Sequence, residues 1–143
     1  MKFLHCALVV LVALALTSCA SSPSSFSESR AVKQQNIFQD LRSPMGSRKV
    51  PVTIIRDAGF NASMTGIIVK LNGDSLAKFY PNERYTFYLE EGTHIFGCYL
   101  DLVFERGIIH ELEANITSER TNNFRLTIDR GDQGFRIQRT AEF

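Results

Sequence analysis

The chain has 143 residues, 44% of them hydrophobic, and carries 16 lysine and arginine side chains against 15 aspartate and glutamate side chains. This balance leaves no long-range positive field to attract nucleic acid, so nucleic-acid binding is disfavoured. The length suits one small domain with a single core.

The first 18 residues have the three-part layout of a secretory signal. Met1-Lys2 supplies a positive end, residues 7–16 form an unbroken apolar run, and the small residues Thr17 and Ser18 follow. A stable transmembrane helix needs about 20 apolar residues, and this run is shorter. We therefore predict that residues 1–18 are a signal peptide.

The residues Leu16-Thr17-Ser18-Cys19 resemble the lipobox of bacterial lipoproteins. The resemblance implies cleavage before Cys19, a diacylglycerol on its thiol and an acyl chain such as palmitate on its new amino end. Two or more acyl chains anchor a protein stably, whereas one binds marginally. Ala20 and Ser21 follow in place of an acidic residue, which under the enteric sorting rule implies the outer membrane, facing the periplasm. The alternative is a chance cysteine behind an ordinary signal peptide.

Three cysteines are present in the chain. Cys6 leaves with the signal and Cys19 is consumed by lipid, so Cys98 remains as a single thiol and no intramolecular disulfide is expected. Cys98 falls on an apolar strand face and is predicted to be buried. The alternative is a thiol that reacts or pairs between chains in an oxidising compartment.

Residues 19–47 are expected to connect the lipidated cysteine to the folded domain. Serine dominates residues 20–30, which offer too little apolar surface to offset the entropy of ordering, so a flexible tether is predicted. Broken apolar spacing between Arg30 and Arg42 suggests a short amphipathic helix. Residues 43–47 interrupt any regular pattern, and the globular domain is expected at residues 48–143.

Residues 48–143 show the period-two pattern of antiparallel strands joined by tight turns. Asn72-Gly73-Asp74 strongly predicts a hairpin turn. Pro81-Asn82-Glu83 is predicted to be a turn that ends the strand before it. Pro51 indicates an edge strand or a strand start. Strands are predicted at residues 50–57, 67–71, 75–80, 85–89, 94–104, 108–116, 124–128 and 135–137. Seven or eight short strands without a crossover helix predict an all-β fold, a small antiparallel β-sandwich or open barrel.

Part of this domain is similar to an uncharacterised domain family of bacterial lipoproteins and to PEGA-type surface domains, which are small β-sandwiches. The resemblance is carried by a strand ending in arginine, a hairpin turn, an aromatic strand and a final turn: Val52 to Arg56, Lys70-Leu71-Asn72-Gly73, Tyr85 to Leu89 and Glu91-Gly92-Thr93-His94. Glu91 stands where the family tends to have proline. The resemblance implies architecture and envelope location, and no catalytic residue.

No motif of a named reaction occurs in the sequence: it has no Ser nucleophile elbow, Gly-rich phosphate loop, paired-cysteine metal motif or His-Glu-x-x-His helix. No catalytic residue, cofactor or metal is therefore expected. Glu90, Glu91 and His94 could gather around a metal, but a solvated surface turn is the favoured interpretation. His110 is in phase with apolar residues and is predicted to be a core or half-buried histidine with one hydrogen bond. Glu111 faces the opposite side and cannot orient it as a base.

Four tyrosines, Tyr80, Tyr85, Tyr88 and Tyr99, are predicted to be half-buried strand residues, with an exposed binding patch as the alternative. Two classes of function remain. The favoured one is a non-enzymatic, membrane-anchored module that binds an envelope protein or a glycan through an edge strand or loop end. The alternative is a small hydrolase or ligand-binding domain with a pocket at one end of the sandwich.

Overall fold

The computed structural model describes residues 22–44, 49–59, 64–102, 109–128 and 135–143. Its strands are β1 (Arg30–Ala31), β2 (Lys49–Arg56), β3 (Ile67–Leu71), β4 (Asp74–Phe79), β5 (Glu83–Glu90), β6 (Gly92–Leu100), β7 (His110–Ile116), β8 (Asn123–Thr127) and β9 (Arg136–Thr140). Within the described ranges the helical content is a single 3-10 turn, Gln34–Asn36.

These strands form two sheets that make a small β-sandwich. One sheet has the order β1-β5-β2-β8-β9 and the other the order β4-β3-β6-β7. Neighbouring strands are antiparallel except in the pairs β1–β5 and β2–β8, which are parallel. The predicted all-β sandwich is confirmed, and the eight strands β2 to β9 fall within the range predicted for the domain.

Alternating side chains of both sheets fill the space between them, as expected for packed sheets. Phe96 of β6 and Phe124 of β8 are fully buried and meet across the two sheets, with ring centroids 4.8 Å apart. Phe87 of β5 is also fully buried. Burying an apolar side chain of this kind contributes about 1.5–3 kcal/mol, so the three phenylalanines are a large part of the core's stabilisation.

The β3–β4 hairpin turns where the sequence predicts. Asn72 and Gly73 have φ values of 49° and 94°, and both residue types tolerate this left-handed region. The turn between β5 and β6 is shorter than predicted, because β5 runs to Glu90 and β6 begins at Gly92. Gly92 has a φ of 137°, which a residue with a side chain adopts only with strain.

Two strand boundaries differ from the prediction. Glu83, assigned to a turn, is the first residue of β5 and is buried. The strand predicted to reach Phe104 ends at Leu100, and Leu102 is 44% exposed. Phe104 and the stretches between predicted strands at residues 105–107 and 129–134 lie outside the described residues.

Pro51 lies in a central strand, at its start. It pairs with Tyr88 of β5, while the parallel pairing of β2 with β8 begins only at Thr53, opposite Asn123. On that side of Pro51 the side-chain amide of Asn122 donates to the Pro51 carbonyl at 3.5 Å. Proline has no N–H to donate, and on this side β2 has no neighbouring strand at Pro51, so no ladder hydrogen bond is lost. This agrees with the interpretation of Pro51 as a strand-start residue.

Residues 22–44, which we call the strap, pack along the sandwich. β1 pairs with β5, and Ile37 bridges to Ala77 of β4. The N–H groups of Phe38 and Gln39 both donate to the Leu76 carbonyl of β4, at 2.9 and 3.1 Å. The strap thus covers an edge of each sheet, which corrects the expectation of a flexible tether for these residues and extends the folded unit to residue 22.

Hydrogen bonds order the serine-rich part of the strap. Ser24 is 3% exposed. Its N–H donates to Asp57 Oδ1 at 3.0 Å, its Oγ accepts from the Ala58 N–H at 2.9 Å, and its carbonyl accepts from Arg125 at 3.1 Å. The composition predicts disorder because serine offers little apolar surface, whereas bonds to buried charged groups supply the stabilisation here.

The helix predicted between Arg30 and Arg42 does not form. The segment consists of β1, the turn Gln34–Asn36 and an extended stretch. The N–H of Val32 donates to the Arg84 carbonyl at 2.9 Å, and the Val32 side chain enters the core with 6% exposure. Unpaired edge strands offer the backbone partners that a helix would otherwise supply, so the strap follows the sheet edges.

Candidate ligand-binding site

The residues with recognisable chemistry in the sequence do not meet in one place. Cys19, the predicted lipidation site, lies outside the described residues. Cys98 is fully buried in the core, and burial raises the pKa of its thiol to about 12, opposed by a backbone hydrogen bond from Ile137. A buried, protonated thiol is a poor nucleophile, so Cys98 is structural, as predicted.

His94 ties two turns together at one end of the sandwich. Its Nε2 donates to the Glu90 carbonyl at 3.0 Å, and its Nδ1 accepts from the side-chain amide of Asn72 at 3.2 Å. Glu91 accepts the Ser118 N–H at 2.6 Å. Within the described part of the chain, no group of three or more His, Cys, Asp or Glu side chains is placed to hold a metal ion.

His110 lies in β7 opposite Cys98, whereas His94 of β6 lies opposite Ala114. Four strand residues, about 13 Å, separate these two register positions, so the histidines do not form a catalytic pair. The His110 ring packs edge-on against Phe135, with centroids 4.9 Å apart. Its buried Nε2 has no hydrogen-bond partner among the described residues, which differs from the single hydrogen bond predicted.

The four tyrosines do not form one patch. Tyr85 is buried, and its hydroxyl accepts from the Leu41 N–H and donates to the Gln39 carbonyl. Tyr88 and Tyr99 are half-buried and lie in different sheets. Tyr80 contributes to a pocket described below.

A polar pocket of about 440 Å³ lies between the strap and the turn from β4 to β5. We call it the strap pocket. Its lining combines two cationic side chains, two amides, a tyrosine, a proline and a carboxylate: Arg30, Lys33, Gln35, Asn36, Tyr80, Pro81 and Glu83. Four of its residues belong to the strap. Since the sequence predicts a flexible tether there, this pocket could not be predicted from it.

Glu83 is 1% exposed and held in place from several sides. Its Oε2 accepts the Tyr80 N–H at 2.8 Å, and its Oε1 lies 3.6 Å from Arg30 Nε. The charge of Arg56 interacts with the same carboxylate. Glu83 therefore lies beneath the pocket surface as a fixed negative group.

Arg56 lies behind Glu83 and is also 1% exposed. Its Nη1 donates to the carbonyls of Thr65 and Phe79, at 2.7 and 2.8 Å. Burial lowers the pKa of Arg56 to about 10, and the neighbouring Glu83 opposes this shift. Buried charges of this kind are stable only when paired and hydrogen-bonded, so Arg56 and Glu83 depend on each other.

The mouth of the strap pocket is more positive than its floor. Arg30 has a 66% exposed side chain and Lys33 is also exposed. Amide and hydroxyl groups in such a pocket recognise a ligand by hydrogen bonding. The lining contains no serine, cysteine or histidine side chain.

A second pocket, of about 490 Å³, opens at the end of the sandwich that carries the loop from β7 to β8. Its lining is rich in hydroxyl and amide side chains: Val50, Pro51, Thr53, Thr117, Ser118, Glu119, Arg120, Thr121, Asn122 and Asn123. Asn122 is 3% exposed and donates to the Thr117 carbonyl within the loop at 2.9 Å. Its own carbonyl accepts the Thr53 N–H at 3.0 Å, which fixes the loop against β2. This is the kind of end pocket that the alternative function class predicts.

Within the described residues, no helix is long and apolar enough to cross a membrane. No protein-family model matches the chain, and neither a curated protein sequence nor a solved structure is significantly similar to it. The resemblance to bacterial lipoproteins and PEGA-type domains stays a prediction from the sequence.

Proposed function

We propose that the protein is a lipid-anchored component of the bacterial envelope that acts by binding, and that the strap pocket holds an acidic glycan. The observation that carries the proposal is the strap pocket, with the buried carboxylate of Glu83 at its floor and exposed cations at its mouth. The lipobox-like residues that end in Cys19 support the anchor.

The pocket suits a sugar better than a flat protein surface. Sugar hydroxyls donate and accept hydrogen bonds, and the buried Glu83 holds Arg30 in place beside the pocket. The amides of Gln35 and Asn36 can donate and accept. An acidic substituent on the glycan would pair with Arg30 and Lys33 at the mouth, away from the negative floor.

The described residues favour binding over catalysis. The histidines are separated along the sheet, the Cys98 thiol is buried, and the strap pocket lining contains no serine, cysteine or histidine. The end pocket keeps a small-ligand domain as a second candidate, since Thr and Ser hydroxyls line it. A hydrolase would need a base beside those hydroxyls; the lining contains no histidine, and its one carboxylate, Glu119, is exposed.

The test is a binding titration with soluble peptidoglycan fragments, which are carboxylated envelope glycans, followed by calorimetry or NMR. Lys33→Glu reverses a charge at the mouth and is expected to weaken binding by about tenfold or more, the effect of losing one charge-assisted contact. Lys49→Glu is the matched control, because Lys49 does not line the strap pocket. Equal binding by the two variants, or none by the unmodified protein, would contradict the proposal.

A further inference from the structure

The chain enters the fold at one defined end of the sandwich. The N–H of Ser22, the first described residue, donates to the Ala58 carbonyl at 2.7 Å, just beyond the last residue of β2. Ser22 is three positions after Cys19, and three extended residues span at most about 10 Å. A lipid on Cys19 would therefore hold this end close to the bilayer.

Strand register identifies what else lies at that end, which we call the anchor end. Arg56 pairs with Leu126, so β8 also ends there. In the other sheet, Ile67 at the start of β3 pairs with Leu100 at the end of β6. Arg56 Nη1 bonds to the carbonyls of Thr65 and Phe79, which joins the two sheets at the same level.

Three exposed apolar side chains flank strand ends at the anchor end. Met64 is 93% exposed and precedes β3, Leu102 is 44% exposed and follows β6, and Ile109 is 48% exposed and precedes β7. Ile109 also leans on the outer face of its sheet, with its Cγ2 3.3 Å from where a Cβ on Gly97 would lie. The three side chains therefore share one end of the sandwich.

We infer that Met64, Leu102 and Ile109 form a membrane contact that lays the anchor end of the sandwich on the lipid interface. This inference rests on the proposed lipid anchor. A protein partner fits less well there, because it would have to enter the gap of about 10 Å left by the short connection to Cys19. Apolar side chains inserted to the headgroup level add to the hold of acyl chains and fix orientation. The turn from β4 to β5 lies at the anchor end too, so the strap pocket lies next to the lipid interface, and the end pocket faces away from the bilayer.

The experiment measures the depth of spin labels on the acylated protein in phosphatidylethanolamine–phosphatidylglycerol vesicles. Met64→Cys and Leu102→Cys carry the test labels. Ile95→Cys is the matched control, because Ile95 is 43% exposed, like Leu102, and its backbone bonds to Asn72 at the opposite end. The buried Cys98 is expected to stay unlabelled.

Collisions with a water-soluble nickel chelate are expected to fall about threefold or more at positions 64 and 102 in vesicles, and to stay unchanged at position 95. Equal accessibility at all three positions would overturn the membrane contact alone. The mass of the purified protein tests the anchor separately: a protein without diacylglycerol refutes the anchor and the inference that rests on it.

Discussion

Glu83→Gln is the substitution that most directly tests how the strap pocket is built. Glutamine keeps the oxygen that accepts the Tyr80 N–H and removes the charge facing Arg56. Breaking a buried ion pair by removing one partner costs about 3–5 kcal/mol. Arg56 retains two carbonyl hydrogen bonds, so we expect a loss near the lower limit, about 3 kcal/mol.

The assay is equilibrium unfolding in urea. With a slope of about 2 kcal/mol per molar urea, the midpoint should fall by about 1.5 M. Glu90→Gln is the matched control: Glu90 ends the same strand and is exposed, so its change should stay within about 0.5 kcal/mol. If both variants unfold at the same urea concentration, Glu83 does not balance a buried charge and the reasoning is refuted.

The pH dependence of this variant follows from the pKa of Arg56. In the folded protein that pKa is lowered to about 10, chiefly by burial, and Glu83 opposes the shift. Loss of Glu83 lowers it further, because the charged form loses its partner. A depressed pKa on a base means that the folded state disfavours the bound proton. The loss in free energy of unfolding caused by Glu83→Gln is therefore fully present below the lowered pKa of Arg56, and it shrinks as pH rises through that pKa.

Two further predictions concern the anchor and a turn. Cys19→Ala is expected to abolish incorporation of a palmitate analogue and release the protein from membranes, whereas Cys98→Ala, at the buried thiol, keeps the label; membrane retention of an unlabelled Cys19→Ala protein would refute the anchor. Gly92→Ala is expected to cost about 1–2 kcal/mol in thermal or urea unfolding, because its φ is 137°. An added Cβ there meets no atom within 4 Å, so the cost is backbone strain alone, and unchanged stability would contradict it.

Side-chain alternation was sufficient to predict strands β2 to β9, but not their order in the two sheets. Tyr85, Phe87 and Leu89 occupy every second position, and all three face the core. The residue types at positions 72 and 73 were sufficient to predict the hairpin turn. The turn needs positive φ at both positions, and asparagine and glycine tolerate it. Both signals lie within a few residues of each other in the chain.

The strap could not be predicted in this way, because its partners are distant in sequence. Ser24 is ordered by Asp57 and Arg125, which lie 33 and 101 residues away. The inward orientation of Glu83, at the floor of the strap pocket, could have been predicted from the sequence. Glu83 precedes Tyr85 by two positions, so alternation places it inward, and the neighbouring Pro81-Asn82 turn signal obscured that.

The parallel pairing of β2 with β8 has a consequence for the time course of folding. It joins Thr53 to Asn123, and the same strand pairs with β5 on its other side. Pairings across such long stretches of chain form slowly, because loop closure precedes any gain from contact. A central strand that must wait for the late-synthesised β8 keeps the sheet incomplete until most of the chain exists. For a polypeptide threaded unfolded through an export channel, that delay favours crossing before folding.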